Sequence, residues 1–183
     1  LLEQIGNPIY KISSFHVTDL PLIERVCKTK KPILLSTGMS TIDEIDKAVN
    51  LIRKYTDQYS INHCVSSYPV KDKFANLNSI PYLIKKTNLT IGYSDHTIGT
   101  DVSIAAVSMG ATVIEKHFTL NRSLPGPDHC ASLEPHELKS LVKKIRNIEL
   151  AMGNGIKKPA PCEIKNAPVA RKSIVAKENI KKL

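Results

Sequence analysis

The chain has 183 residues, 42% of them hydrophobic, and a formal net charge of +9. A chain of this length and apolar content can bury a globular core, which excludes an intrinsically disordered protein. The charge is uneven: residues 1–138 contain 14 basic and 14 acidic side chains, whereas residues 139–183 contain 12 and 3. The basic segment has no aromatic residues and no recognised binding motif, so we do not expect nucleic-acid binding.

The cysteines and the hydropathy favour a cytoplasmic protein. Cys27, Cys64, Cys130 and Cys162 have no C-x-x-C spacing, so we expect neither a disulfide framework nor a zinc ribbon. No apolar run approaches the roughly 18–20 residues that span a bilayer, and no signal peptide opens the chain. Because the sequence begins with Leu1 instead of Met, we expect a processed polypeptide or a fragment.

Predicted strands and helices alternate along the chain. The apolar patterns predict strands at residues 10–15, 32–36, 61–67, 89–94 and 112–117, and helices at 20–28, from 40 or 41 onward, and at 77–86, 101–109 and 134–152. Gly153 ends the last helix, and a loop at residues 120–132 precedes it. We therefore expect one domain over residues 1–153, a proline-containing linker over 154–170, and a truncated second domain over 171–183, with a strand at 173–176.

Five successive strand–helix units imply a parallel sheet covered by helices. Two architectures compete, an open doubly wound sheet and part of a β/α barrel. Polar residues favour the barrel because they cluster at the carboxyl ends of the strands, where barrel enzymes carry their chemistry. A complete barrel has eight such units in about 250 residues, so we expect roughly three units before Leu1.

Two histidines predict a metal site. His96 and His117 each follow an apolar run, 21 residues apart, with one predicted helix between the runs. Neighbouring parallel strands end on the same edge of a sheet, so both imidazoles could bind one divalent ion, with open positions left for water and substrate. The alternative is that each is an ordinary hydrogen-bonded histidine at a strand end.

A second set of residues indicates an anion site at the same edge. Lys11 and four strand-end serines would direct one cation and several hydroxyls into one cavity, which suits a phosphate or a carboxylate; these serines are Ser14, Ser36, Ser67 and Ser94. Taken singly, each serine is an ordinary strand-end or capping residue. Asp128 lies in a loop with two prolines around a glycine, and it could accept hydrogen bonds from sugar hydroxyls or simply form a turn.

Five motifs together resemble the sialic acid synthase family. They are YKISSF at 10–15, LSTGM at 35–39, GYSDHT at 92–97, EKHFTL at 115–120 and PGPDH at 125–129. The similarity runs through the whole chain in order, and the last two motifs are the most specific. The segment ARKSIVA at 170–176 resembles the entry to that family's small antifreeze-like domain.

The resemblance implies a β/α-barrel enzyme that condenses phosphoenolpyruvate with an open-chain amino sugar, such as N-acetylmannosamine, and releases phosphate. By position, His96 and His117 match the family's manganese ligands, with Mg²⁺ or Co²⁺ as alternative ions. Positions that match phosphoenolpyruvate contacts are Lys11, Ser14, Ser36 and Ser94; those that match sugar-side contacts are Tyr68 and Asp128, and we take Asp128 as a candidate catalytic residue. The family also implies a homodimer in which the C-terminal domain caps the partner's barrel and supplies an arginine.

One departure from the family pattern leaves a second hypothesis open. His16 stands where the family usually has an acidic residue, so a cation or a metal-side donor would replace a carboxylate among the candidate catalytic residues. A non-catalytic sugar-phosphate binding protein or a decayed gene product is the alternative to an enzyme. The PGPDH loop favours sialic or legionaminic acid synthesis over pseudaminic acid synthesis.

Overall fold

The computed structural model describes residues 2–181 of the chain. Five strands form one sheet: β1 (Tyr10–Ile12), β2 (Ile33–Ser36), β3 (Tyr59–Cys64), β4 (Ile91–Asp95) and β5 (Val113–Lys116). The helices are α1 (Leu20–Cys27), α2 (Ile42–Arg53), α3 (Ser79–Thr87), α4 (Asp101–Ser108), α5 (Pro135–Met152) and the single turn α6 (Ala167–Ala170). No helix within residues 2–181 is long and apolar enough to cross a membrane.

The strand order decides between the two predicted architectures. The strands are hydrogen-bonded in the order β1-β2-β3-β4-β5, and every pairing is parallel. A doubly wound sheet reverses its strand order at a switch point, whereas a barrel adds each strand beside the previous one. The fold is therefore part of a TIM-type β/α barrel, as the strand-end polar residues predicted.

Local sequence explains where the helices begin. Thr41 caps α2 through a reciprocal capping box, in which the Thr41 hydroxyl accepts from the Glu44 amide and the Glu44 carboxylate accepts from the Thr41 amide at 2.7 Å. Such a pair satisfies amides that the helix cannot bond internally. Asp19 caps α1 with one bond only, which its side chain accepts from the Leu22 amide at 3.1 Å.

The two faces of the sheet differ in chemistry. Successive side chains of a strand point to opposite faces, and the strand register aligns one apolar set and one polar set. The apolar set packs against the helices and forms the core; from the strands it includes Ile12, Ile33, Leu35, Ile61, Ile91 and Tyr93. The opposite, inner face carries Lys11, Ser36, Asn62, Cys64, Ser94 and Glu115. Burial of the apolar set against the helices thus stabilises the sheet, and the inner face is free to carry polar groups.

Several predicted boundaries need correction. The first strand ends at Ile12, and Ser14–His16 form a 3-10 turn instead of its continuation. The third strand ends at Cys64, three residues earlier than predicted. Residues 173–176 have no regular structure, so the predicted strand there is wrong.

Backbone contacts divide the chain into two compact units, with the boundary between Met152 and Gly153. The second unit contains α6 in the segment predicted as a linker. Its assignment to an antifreeze-like domain stays a prediction.

Candidate active site

A cleft of about 100 Å³ opens on the inner face of the sheet, at the carboxyl ends of the strands. Seven of the ten predicted site residues line it: Lys11, Ser14, Ser36, Tyr68, Ser94, His96 and His117. The other lining residues are Ser13, Phe15, Cys64 and Glu115. Five different strands or strand ends contribute, because parallel strands present their carboxyl ends at one edge.

Small polar groups surround the backbone of Gly38 at one end of the site. The Ser14 hydroxyl accepts a hydrogen bond from the Gly38 amide at 2.9 Å and is buried. A Cβ atom on Gly38 would lie 2.3 Å from Ser66 Oγ and 2.9 Å from Ser14 Oγ. Only glycine therefore allows these two hydroxyls to approach the backbone this closely.

Ser66 is a residue that the sequence reading missed. Its hydroxyl is buried and has no hydrogen-bond partner among the described residues. A buried hydroxyl without a partner costs free energy, so it is typical of a place where a ligand or water completes the bonding. Strand alternation was the available signal, since Ser66 stands two residues after Cys64 on the inner face.

A charged pair lies across the middle of the inner face. Lys11 Nζ contacts Glu115 Oε1 at 2.9 Å. The other Glu115 oxygen accepts from Asn62 Nδ2 at 3.3 Å and from Ser36 Oγ at 3.4 Å. Burial alone would raise the pKa of the Glu115 carboxyl, but the hydrogen bond and charge of Lys11, aided by Ser94 and Asn62, outweigh burial and lower it.

Glu115 was also missed, although it stands two residues before His117 and so shares its face of the strand. Its ionised carboxylate holds the Lys11 ammonium at the centre of the inner face. An ammonium has three donors, and one directed at Glu115 leaves two for an anionic ligand.

The two histidines meet in the cleft. Their ring centroids are 5.2 Å apart, and the ring planes are nearly perpendicular. His96 Nδ1 lies 2.9 Å from the Val65 carbonyl oxygen, which can only accept, so Nδ1 donates there and Nε2 has a free lone pair in the neutral ring. This arrangement is typical of metal-binding histidines, whose second nitrogen is held by a carbonyl or carboxylate.

Other groups adjoin the imidazoles. Asp128 Oδ2 lies 3.7 Å from His117 Nδ1. The Tyr68 ring centroid is 4.3 Å from that of His96 and 5.7 Å from that of His117. Burial alone would lower the pKa of His96. Its contacts with Cys64 Sγ and the Val65 carbonyl outweigh burial, so the pKa lies above its ordinary value.

The donors suit a divalent ion held by few protein ligands. Within residues 2–181 no three His, Cys, Asp or Glu side chains come together as a closed metal cage. Two imidazoles that line one cleft would leave most coordination positions of an ion to water or substrate oxygen, as in an open catalytic site and unlike a structural one.

Three predicted site residues do not line the cleft: Asp128, which adjoins it through His117, and His16 and Ser67. His16 has a side chain that is 49% exposed and faces Asp19, with Nδ1 and Oδ2 3.8 Å apart. It lies outside although Ser14 and Phe15 of the same 3-10 turn line the cleft. Ser67 is exposed, and its hydroxyl donates to the Pro69 carbonyl at 3.2 Å. It stands an odd number of residues from Cys64 and Ser66, whose side chains lie on the inner face, so its own side chain points to the other side.

The fold and the site define a β/α-barrel domain with a polar cleft, which contains a Lys–Glu pair, clustered serine hydroxyls and two adjacent imidazoles. The NeuB family model matches residues 1–157 of the chain. The chain belongs to the NeuB family.

Named relatives and a solved structure agree with this assignment. The chain is 47% identical to the N,N'-diacetyllegionaminic acid synthase of Campylobacter jejuni over 185 residues, which are 100% of this chain and 55% of that protein. It is 44% identical to the pseudaminic acid synthase of Helicobacter pylori over 154 residues, covering 84% of this chain and 45% of that protein. The chain thus spans about half the length of these relatives.

The solved structure is that of an N-acetylneuraminic acid (sialic acid) synthetase from Leptospira borgpetersenii in complex with citrate. It superposes with a TM-score of 0.85 at 36% identity, over 94% of this chain and 61% of that chain.

Proposed function

We propose that the full-length protein condenses phosphoenolpyruvate with an N-acetylated amino sugar and releases phosphate. The sugar would be N-acetylmannosamine or a related 2,4-diacetamido sugar, and the product a sialic or legionaminic acid. One observation carries the proposal: Lys11 and the hydroxyls of Ser14, Ser36 and Ser94 share a single cleft with two imidazoles. The names of the family's nonulosonic acid synthases support it.

The enol phosphate would bind at the end of the cleft near Gly38. Lys11 would neutralise phosphate or carboxylate charge with the donors that Glu115 leaves free. The hydroxyls of Ser14, Ser36 and Ser94 are buried, so they are pre-oriented and lose little freedom on binding. Fixed donors of this kind hold one reactant in place for attack.

The sugar would bind at the other end. His96 and His117 would hold a divalent ion, which we propose to be Mn²⁺, with Mg²⁺ or Co²⁺ as alternatives. When bound, such an ion polarises the aldehyde oxygen of the open-chain sugar. Tyr68 covers both rings and Asp128 lies beside His117, so these two side chains would orient the sugar hydroxyls.

His16, the residue that motivated a non-catalytic alternative, lies outside the cleft. It lines a neighbouring pocket together with Lys11 and Ser13, so the assay below decides between the enzyme and the non-catalytic binding protein.

The decisive assay uses the full-length protein with phosphoenolpyruvate, Mn²⁺ and either amino sugar, and measures phosphate release and the nonulosonic acid formed. Phosphate release that requires both substrates supports the proposal. If no such sugar promotes phosphate release from a folded protein, the catalytic proposal fails. The same assay with each sugar separates sialic from legionaminic acid synthesis.

We also propose a homodimer in which the C-terminal domain of one subunit caps the barrel of the other. Five apolar side chains in the segments that follow the five strands are half or more exposed: Phe15, Met39, Phe74, Ile98 and Phe118. Exposed apolar side chains of this kind are typical of a surface covered in an assembly. Light scattering of the full-length protein should give the mass of a dimer. The substitution Ile98→Asp should shift the measured mass toward that of the monomer. A wild-type protein that is monomeric at micromolar concentration would contradict the proposal.

The compartment is a further proposal. All four cysteines are free, and Cys130 and Cys162 are exposed. Free exposed thiols persist in a reducing compartment, so we propose that the protein is cytoplasmic. Fluorescence microscopy of a tagged protein would test this.

A further inference from the structure

A fully buried ion pair lies directly behind the two histidines. Asp95 is the last residue of β4 and Lys116 the last of β5, and the sheet register pairs them. Lys116 Nζ and Asp95 Oδ2 are 2.9 Å apart, and the two side chains are 3% and 0% exposed. Side chains alternate along a strand, so this pair faces the helices while the next residues, His96 and His117, line the cleft.

Every polar atom of the Asp95 carboxylate is engaged. Oδ1 accepts from the Thr97 amide at 2.8 Å and from the Thr97 hydroxyl at 2.7 Å. Oδ2 accepts from the Ser103 hydroxyl of α4 at 2.5 Å, in addition to Lys116. The Lys116 ammonium also donates to the Thr97 carbonyl oxygen at 2.7 Å.

These bonds hold both residues that flank His96. Asp95 precedes it, Thr97 follows it, and Lys116 bonds to both of them from the residue next to His117. The backbone at His96 is thereby tied to the backbone at His117 by two direct contacts of one ammonium. A displacement of one histidine relative to the other would break charge-assisted hydrogen bonds in a dry environment, where they are strong.

We propose that the Asp95–Lys116 pair is a positioning device for the metal site, in that it fixes the spacing of the two imidazoles before an ion binds. This rests on the proposed function, because it assumes that His96 and His117 bind a divalent ion. Neither member of the pair touches the cleft, so both are positioning residues. The device lowers the cost of ordering two ligands on different strands.

A purely stabilising ion pair is the competing explanation. Buried pairs are often replaceable by neutral groups without loss of stability, whereas removal of one partner leaves an uncompensated charge. The informative variant therefore neutralises both partners: Asp95→Asn together with Lys116→Met. Asparagine retains an acceptor for Thr97, and methionine retains the apolar part of the lysine side chain.

The experiment measures Mn²⁺ affinity in the full-length protein by the electron paramagnetic resonance signal of free Mn²⁺. We expect the double variant to bind Mn²⁺ at least about tenfold more weakly than wild type, the range seen when outer partners of metal ligands are removed. Two controls should bind within about twofold of wild type. Lys86→Met removes an ion pair between α3 and α2, and Ile52→Val loosens the core at a fully buried position.

Three outcomes would count against the proposal. A folded double variant with wild-type Mn²⁺ affinity overturns the positioning role and leaves the proposed function intact. A wild-type protein that binds no divalent ion overturns both. If the double variant does not fold, Ser103→Ala decides, because it removes one bond to Asp95 from outside the cleft; unchanged affinity in that variant overturns the positioning role.

Discussion

Replacing Gly38 with alanine should damage the phosphate end of the cleft while leaving the fold intact. The new methyl group would lie 2.3 Å from Ser66 Oγ, 2.9 Å from Ser14 Oγ and 3.2 Å from Cys64 Sγ, whereas ordinary van der Waals contact begins at 3.4 Å. Ser66 Oγ would have to move by about 1 Å, and such overpacking typically costs about 1–3 kcal/mol. All three neighbouring atoms belong to side chains, so these side chains would shift while the backbone keeps its position.

The kinetic effect follows from the same displacement. Ser14 Oγ would lose its hydrogen bond from the Gly38 amide and leave the position proposed for enol phosphate binding, and the unpaired Ser66 hydroxyl beside it would be displaced. We expect the KM for phosphoenolpyruvate to rise roughly tenfold, equivalent to about 1.4 kcal/mol of lost binding. Steady-state kinetics of the full-length enzyme with phosphoenolpyruvate varied at saturating sugar would measure it.

Thr41→Ala is the matched control for Gly38→Ala. It removes the capping box of α2 and should cost about 0.5–2 kcal/mol of stability. Because Thr41 does not line the cleft, its KM should stay at the wild-type value. An unchanged KM in a folded Gly38→Ala protein would refute the placement of the phosphate beside Gly38.

Three further predictions concern single side chains. The lowered pKa of the Glu115 carboxyl means that its contribution to stability is present above its ordinary pKa of 4.5 and is lost as the pH falls through the lower folded value. The free energy of unfolding of Glu115→Gln, measured by urea denaturation, should therefore fall less than that of wild type as the pH is lowered below 4.5. An equal fall in both proteins would contradict this. Ser66→Ala should raise the KM for phosphoenolpyruvate several-fold, because the Ser66 hydroxyl is buried and unpaired among the described residues. Ser67→Ala should leave this KM unchanged, because the Ser67 hydroxyl is exposed and already donates to the Pro69 carbonyl. Equal effects of the two substitutions would contradict the placement of Ser66, and not Ser67, on the inner face. His16→Glu should leave kcat unchanged, since this exposed side chain lies outside the cleft, and a marked change in turnover would place it in the site.

Local sequence patterns were sufficient for most of the barrel framework. The capping residues and the apolar stripe of α2 predicted that helix because both depend on residues three or four positions apart. Strand ends were harder to predict. The first and third strands end earlier than their apolar and polar patterns indicated, because pairing with the neighbouring strand, and not propensity, decides where a strand stops.

The residues of the candidate site also differ in whether local sequence was sufficient to identify them. His96, His117 and Lys11 could be found from sequence because strand-end position and residue type already limit their role. Glu115 and Ser66 were missed, and Ser67 was chosen in place of Ser66. Adjacent residues along an extended segment point to opposite faces of the sheet, so choosing the neighbouring serine selects the wrong face.

By itself, the sequence determined the strand–helix alternation, the carboxyl-edge position of the polar residues and the identity of the candidate metal ligands, since these depend on local order along the chain. Only the tertiary structure decided which serines face the cleft, that Lys11 is held by Glu115 across the sheet, and that Asp95 and Lys116 join behind the histidines. These pairs are separated by 104 and 21 residues. Their contact is set by strand register and burial, which come into existence only when the sheet is assembled.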